Sequence, residues 1–298
     1  MKVAVTGGSG FVGQRLQLIK PDWIYLSRKD VNLLSYNDCL QYFTDEKPDA
    51  VVHLAVKVGG IKDNSEHPAD FFYENVMMNS NVVHACHMAG VKRLLASLST
   101  CAFPDVVDKY PFDESDFLAG PPAVTNRAYG FTKRALHIQI QSYRHQHGVE
   151  YSCFCPSNLY GPGDNFDPDK SHLVAAIIKK LHEASAGDTV EFWGTGKTLK
   201  QQLYVDDLCQ LIPHLLDKHH SDIPLIVAPH ENTSVLDLIT TTLPVINKDV
   251  KIAFNGKLDG QYRKDGSNQA LLKLCPSASF TSFKEGVSKT YAWYRKNL

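Results

Sequence analysis

Lys2-Val3-Ala4-Val5-Thr6-Gly7-Gly8-Ser9-Gly10-Phe11-Val12-Gly13 is the stretch whose reading decides the fold. Its first five residues form a short run of strand-forming type, ending in Thr6. Glycines at 7, 10 and 13 follow at once, and an amphipathic stretch from Phe11 to Ile19 comes next. Strand, turn and helix thus stand in the order in which a glycine-rich pattern binds a dinucleotide. In that arrangement Gly7 makes the tight turn and Gly10 lets the backbone approach a pyrophosphate. Gly13 lets the helix pack on the strand, and the phosphates sit at the helix N-terminus.

Moving outward, the next strand, Trp23 to Leu26, ends at Ser27-Arg28-Lys29. NAD-specific folds place an acid roughly 20 residues past the glycines, for the ribose 2′-hydroxyl. Here Arg28 takes that place, and a guanidinium suits a 2′-phosphate. The expected cofactor is therefore NADP(H). Asp30 stands one or two positions beyond the place of the acid.

The alternation continues with a helix over 36–46, a strand over 50–55, a helical segment over 68–89, a strand over 93–98 and a helix over 126–147. Such alternation predicts an α/β fold with a doubly wound parallel sheet of Rossmann type. A smaller mixed α/β C-terminal lobe is expected to bind substrate. Residues 1–160 are assigned to the NADP-binding domain, with 200–230 returning to it. Residues 161–298 form the lobe, mainly 163–200 and 230–298. Val58-Gly59-Gly60-Ile61 leaves the third strand at the carboxyl edge, where such sheets bind ligands. Met77 and Met78 read as core filling.

The strand over 93–98 delivers Ser99, Thr100 and Cys101 to the same edge. Tyr129 and Lys133, four apart on a helix, lie on one face. A lysine beside a tyrosine favours the phenolate and lowers a pKa that starts near ~10. Such a phenol exchanges a proton with a carbonyl oxygen, while a serine hydroxyl holds that oxygen.

The totals are those of an ordinary globular chain: 298 residues, 43% hydrophobic, 21% charged, formal net charge -1. No basic block or like-charge run calls for nucleic acid or an acidic membrane, and no apolar run is long enough to span a bilayer. The N-terminus enters a strand directly, so no targeting segment is expected. Seven cysteines without paired spacing point to reduced thiols in the cytoplasm. Cys153 and Cys155 alternate in a buried strand and do not suit a metal, so none is expected. His219-His220, at a helix end, reads as solvated.

Together Thr6 to Gly13, Ser99 and the Tyr129/Lys133 pair resemble the extended short-chain dehydrogenase/reductase family. Further stretches narrow the resemblance: Lys57 to Ile61, Ser99 to Asp105, Pro156 to Pro162, Asp164-Asn165-Phe166, Ser171-His172-Leu173, Trp193 to Gly196 and Asp259-Gly260-Gln261. They run through nearly the whole chain. The members so matched epimerise GDP-4-keto-6-deoxy-D-mannose at C3″ and C5″ and reduce C4″ with NADPH, giving GDP-L-fucose. The resemblance implies catalytic roles for Ser99, Cys101 (base), Tyr129, Lys133 and His172 (acid). It implies cofactor contacts from Gly7, Gly8, Ser9, Gly10, Phe11, Val12, Gly13, Arg28, Leu54, Ala55, Ser97, Tyr129, Lys133, Pro156, Asn158, Leu159 and His172. Substrate contacts are implied for Asn158, Lys180, Trp193, Lys200 and Asp259, and a homodimer for the helices over 68–89 and 126–147. A thiol near ~8.5 and an imidazole near ~6.5 need only small shifts to carry protons at neutral pH.

Two departures stand out. Lys200 occupies a position where arginine is common in the family, so a forked donor becomes a point charge. Gly163 occupies one where histidine or asparagine is frequent. The rival readings are a nucleotide-sugar 4,6-dehydratase, which carries an Asp-Glu pair where Cys101-Ala102 stands, a 4-epimerase, which needs no Cys/His pair, and a dinucleotide-sensing regulator. Val205-Asp206-Asp207-Leu208 opens a helix with acids suited to its dipole, and 283–294 reads as an amphipathic structural helix.

Overall fold

A computed structural model of the chain describes residues 1–59, 61–168, 170–257 and 261–298, with the side chains of 61, 62 and 65 outside the description. The opening run forms β1 (Val3–Thr6), buried throughout, and the glycine turn leads into α1 (Phe11–Ile19). Then come β2 (Ile24–Leu26), α2 (Tyr36–Glu46), β3 (Ala50–His53), α3 (Ile61–Glu66), α4 (Pro68–Met88), β4 (Arg93–Ser97), α5 (Arg127–His147) and β5 (Glu150–Pro156). Local chemistry sets several ends: Ser35 caps α2 by accepting from the Asp38 N–H, and Gly148 closes α5 in the left-handed region.

The second half holds β6 (Asn158–Tyr160), α6 (Leu173–Glu183), β7 (Thr189–Phe192), β8 (Leu199–Lys200), β9 (Gln202–Tyr204), α7 (Val205–Lys218) and β10 (Leu225–Val227). It ends with β11 (Thr233–Ser234), α8 (Val235–Ile246), β12 (Lys251–Phe254), β13 (Arg263–Lys264), α9 (Gln269–Leu274) and α10 (Phe283–Asn297).

Six strands form one parallel sheet in the order β10-β5-β4-β3-β1-β2. The chain goes from β1 out to β2, crosses back to β3 and moves away through β4, β5 and β10. That reversal between β1 and β3 is the switch point at which doubly wound sheets open a ligand crevice. Period-two alternation sends Val3, Val5, Val52, Leu95 and Phe154 towards α1 and α7, where they meet Leu16, Leu208 and Ile212. Ala4, Val51, Leu94, Cys153 and Cys155 face α2, α4 and α5. Each large side chain so buried contributes about 1.5–3 kcal/mol. All seven cysteines are free.

A third core joins α6, α8 and α10 to the parallel pair β7 and β12, around Ile178, Leu238 and Val287. Two further small sheets, β11-β8-β13 and β6-β9, lie between it and the main sheet in the chain. The α9 segment differs from the sequence-based expectation, which assigned it to the substrate lobe. Leu271 is buried in the main-sheet core, and Leu274, Ala278 and Phe280 pack on the same core. His219 also differs. It is buried, with Nε2 3.0 Å from the Cys153 carbonyl oxygen, while His220 is exposed. Helix α7 turns His219 back against β5 as it ends. Asp206 does more than serve the α7 dipole: it holds Arg15 of α1 in a two-point pair at 2.7 and 2.8 Å. Among the described residues no helix is long and apolar enough to cross a membrane.

One polar group lies deep at the switch point. His53, at the end of β3, accepts from Thr6 Oγ1 at 2.7 Å and donates Nε2–H to Asn79 Oδ1 at 3.0 Å. Burial, reinforced by the Lys133 charge, lowers its pKa to about 4. The unfolded chain therefore takes up a proton below pH ~6.5 that the folded chain refuses until about 4. Stability from this residue is present above ~6.5 and falls with acidification through that window, at about 1.4 kcal/mol per pH unit. Urea unfolding between pH 7 and 4.5 is expected to show His53→Gln losing stability less steeply than the native chain; equal slopes would refute the buried neutral state.

Candidate active site

The cofactor half of the site begins where β1 ends. Gly7 has φ +75°, a conformation that side-chain-bearing residues rarely adopt, and a Cβ there would come within 2.7 Å of the Ala55 nitrogen. A Cβ on Gly13 would collide with the Gly7 carbonyl, so α1 lies directly on the turn. The N-cap of α1 is Gly10, which offers no side-chain cap, and the first turn carries no acid. Its backbone N–H groups thus face the crevice as an anion site.

Gly7, Gly10, Phe11, Val12 and Gly13 line one cleft of about 620 Å³ with Leu54 and Ala55, just past β3, and Ser97 from β4. Pro156, Asn158 and Leu159 close it from β5 and β6. Gly8 and Ser9 form the back of the turn: Gly8 N–H donates to Leu26 O at 2.8 Å, and Ser9 O accepts from Gln14. Arg28 is exposed two residues past Leu26, beside that turn. Asp30 is folded back, accepting from both the N–H and the hydroxyl of Ser27 at 2.7 Å, which lowers its pKa.

The reacting half is carried by the turn after β4 and the start of α5. Ser99 is extended and its Oγ accepts from the Cys101 N–H at 3.1 Å, fixing the turn 100–102. Arg134 clamps the same turn by donating to Ala102 O at 2.7 Å and Gly120 O at 2.6 Å. Gly130 makes room for it, since a Cβ there would lie 2.8 Å from Cys101 O. Tyr129 is thereby held against Ser99 and Cys101. His172 caps α6 and lines the same cleft.

The charges differ in part from the sequence expectation. Lys133 does not lower the Tyr129 pKa. Burial drives that phenol well above its ordinary value, with the Ser99 hydrogen bond opposing weakly. Lys133 is itself buried, donates to Ser97 O at 2.7 Å, stands 5.8 Å from the Tyr129 ring centre, and is lowered to about 8 by desolvation. Burial also pushes the Cys101 thiol up, but Lys264, Ser99 and His172 together bring it below its ordinary value. The Asp164 carboxylate raises His172 and outweighs burial, with Nδ1 3.9 Å from Oδ1.

At the end of the cleft nearer the third core, Lys180 lines the cleft, donates to Glu191 O at 2.9 Å and lies over Phe192. Trp193 is exposed at its mouth, and Lys200 donates to Gln261 O at 2.7 Å. Asn158 donates to Gln201 O. Asp259 lies outside the described residues. Gly163 has φ +87°, which accounts for the absence of a bulkier residue there; asparagine is among the few side chains that tolerate that region.

Three residues were assigned no part in the site from the sequence, although Asp164 and Gln261 lie in quoted stretches. Lys264 Nζ lies 3.0 Å from Cys101 Sγ, from 163 residues away. Asp164 stands behind His172, and Gln261 donates to Asp105 O at 2.8 Å. Nothing local in the sequence distinguishes Lys264 from the chain's other lysines.

Comparison with known proteins agrees with this geometry. The model of the NAD dependent epimerase/dehydratase family matches residues 3–227. GDP-L-fucose synthase of Dictyostelium discoideum is 32% identical over 306 residues, covering 99% of this chain and 95% of that protein. GDP-L-fucose synthase 1 of Arabidopsis thaliana is 34% identical over 307 residues, covering 100% and 94%. The crystal structure of a GDP-L-fucose synthetase from Naegleria fowleri bound to NADP superposes with a TM-score of 0.91, at 30% identity, covering 99% of this chain and 94% of that one. Since the family match runs from β1 to the last strand of the main sheet, this chain belongs to the NAD dependent epimerase/dehydratase family.

Proposed function

We propose that the chain converts GDP-4-keto-6-deoxy-D-mannose to GDP-L-fucose, epimerising C3″ and C5″ and then reducing C4″. The observation that carries this reading is that Cys101 and Tyr129 meet at one Ser99 turn, with His172 lining the same cleft. A carrier for carbon-bound protons and a donor for the ketone oxygen therefore share one space. The named relatives are GDP-L-fucose synthases.

NADPH fits the cofactor half: the uncapped α1 N-terminus suits a pyrophosphate, and exposed Arg28 suits a 2′-phosphate. When bound, the cofactor supplies the hydride that reduces C4″. Lys133, buried beside Ser97, is placed to hold the nicotinamide ribose.

Protons alpha to a ketone become acidic when the enolate oxygen is stabilised. The Tyr129 phenol, kept protonated by burial, and the Ser99 hydroxyl donate to that oxygen. Cys101, its thiol pKa lowered chiefly by Lys264, takes a proton from carbon, and His172, its imidazole pKa raised by Asp164, returns one to the opposite face. Tyr129 then protonates O4″ as the ketone is reduced. Lys180 and Lys200 are assigned to the diphosphate, Trp193 to a sugar or base face, Asn158 to the sugar, and Asp259 to a sugar hydroxyl. The C-terminal lobe thus holds the nucleotide-sugar and residues 1–160 the cofactor.

We assign the assembly to a homodimer through α4 and α5, supported by exposed Phe72, Tyr73 and Met88 on one helix and Phe131 and Ile138 on the other. The seven free cysteines support a cytoplasmic location.

Incubation of the purified protein with NADPH and GDP-4-keto-6-deoxy-D-mannose is expected to oxidise the cofactor and yield GDP-L-fucose; no oxidation with that substrate would refute the reading. Cys101→Ser should slow solvent-deuterium uptake at C3″ and C5″ by about 10²-fold or more. Uptake at the native rate would remove Cys101 from the base role. For Arg28→Ala, NADPH affinity should fall about tenfold while NADH affinity holds. Equal losses for both cofactors would show that Arg28 does not read the 2′-phosphate.

A further inference from the structure

The sulfur of Cys101 is met by a cation from a strand far along the chain. Lys264 sits on β13, with Nζ 3.0 Å from Sγ, and is only 9% exposed. A buried ammonium is costly unless an anion stands at hydrogen-bond distance. The neighbouring carboxylate is committed elsewhere: Asp265 holds Arg263 at 2.6 and 2.9 Å. Pairing of β13 with β8 also sets Lys264 opposite Lys200, a like charge that adds to the demand for an anion.

We propose that Lys264 and Cys101 form an ammonium–thiolate pair, in which Lys264 is a positioning residue that keeps Cys101 ready to accept a proton from carbon. The use of the pair rests on the epimerase reading above; its existence does not. Before reaction the thiol proton has left to solvent and Lys264 keeps its own. When carbon gives up its proton to sulfur, the thiol becomes neutral and the pair is lost, to be restored when that proton leaves.

The other groups facing the sulfur are consistent with this assignment. Ser99 precedes it in its own turn, Tyr129 faces it from α5 as a neutral phenol, and His172 approaches from α6 with Asp164 behind it. Against burial, which raises the thiol pKa, Lys264 is the largest opposing influence, ahead of Ser99 and His172.

The test is the pH dependence of Cys101 alkylation by iodoacetamide in the full chain, followed by mass spectrometry of its peptide. Cys275, also half-buried, serves as the internal control. In Lys264→Met and Lys264→Gln the Cys101 midpoint should rise, slowing alkylation at pH 7 by about tenfold for each pKa unit gained. Lys264→Arg should keep the midpoint low. Cys275 should react at its native rate in all three. An unmoved Cys101 midpoint in folded neutral variants would overturn the pair. If neither neutral variant folds, the native chain decides, since a midpoint at or above the ordinary thiol value of ~8.5 overturns it equally.

With substrate, Lys264→Met should shift the pH profile of C3″ and C5″ deuterium exchange upward, with recovery at high pH. A raised KM with an unshifted profile would instead place Lys264 on the substrate and refute the proposal. Alkylation needs no substrate, so failure of the GDP-sugar assignment leaves its outcome readable.

Discussion

Reversal of the chain across β1 is the constraint on which the site depends. A strand buried on both faces must pair all its backbone groups, so β1 is locked between β2 and β3, with Thr6 level with Leu26 on one side and His53 on the other. The glycine turn, the Ser27–Asp30 turn and Leu54-Ala55 therefore emerge side by side. Gly7 leaves no space between them, and the Thr6–His53–Asn79 bonds pair the Thr6 hydroxyl and both ring nitrogens of His53 beneath. A larger residue at 7 would push two strands apart rather than bend one loop.

At the other end of the cleft, burial and specific partners act in opposite senses, and the partners decide the chemistry. Burial, seconded by Cys101, keeps Tyr129 protonated, and burial lowers Lys133 to about 8, so the pair does not form a resting phenolate. Half-buried Cys101 and exposed His172 line the same cleft yet shift the other way, because Lys264 faces the thiol and Asp164 faces the imidazole. The result is a phenol that holds its proton next to a thiol and an imidazole shifted towards their charged forms. Inverting a carbon alpha to a ketone calls for that division.

Much of this was legible locally. A strand, a glycine spacing and an amphipathic helix imply the nucleotide turn because each rests on short-range rules: pleat, left-handed φ and helical period. The α2, α4 and α5 segments declare themselves by periodicity and flanking signals. The Tyr129/Lys133 spacing was readable too, but its electrostatic sense was not, since burial depends on what packs over the helix. His219 and the 269–280 segment were misread for the same reason: a histidine at a helix end looks solvated until β5 covers it, and α9 looks like part of the lobe until Leu271 inserts under the sheet.

The doubly wound sheet and the glycine turn are written in contiguous spacing, and the resemblance singles out Ser99, Cys101, Tyr129 and His172 as candidates. The directions in which their proton affinities shift come from partners that folding brings together. Lys264 reaches Cys101 across 163 residues, and Asp164 turns to His172 through a loop whose path depends on Gly163 in the left-handed region. Proton affinity is a property of the surrounding charges and of water exclusion, and both are set by segments that meet only when the chain is folded.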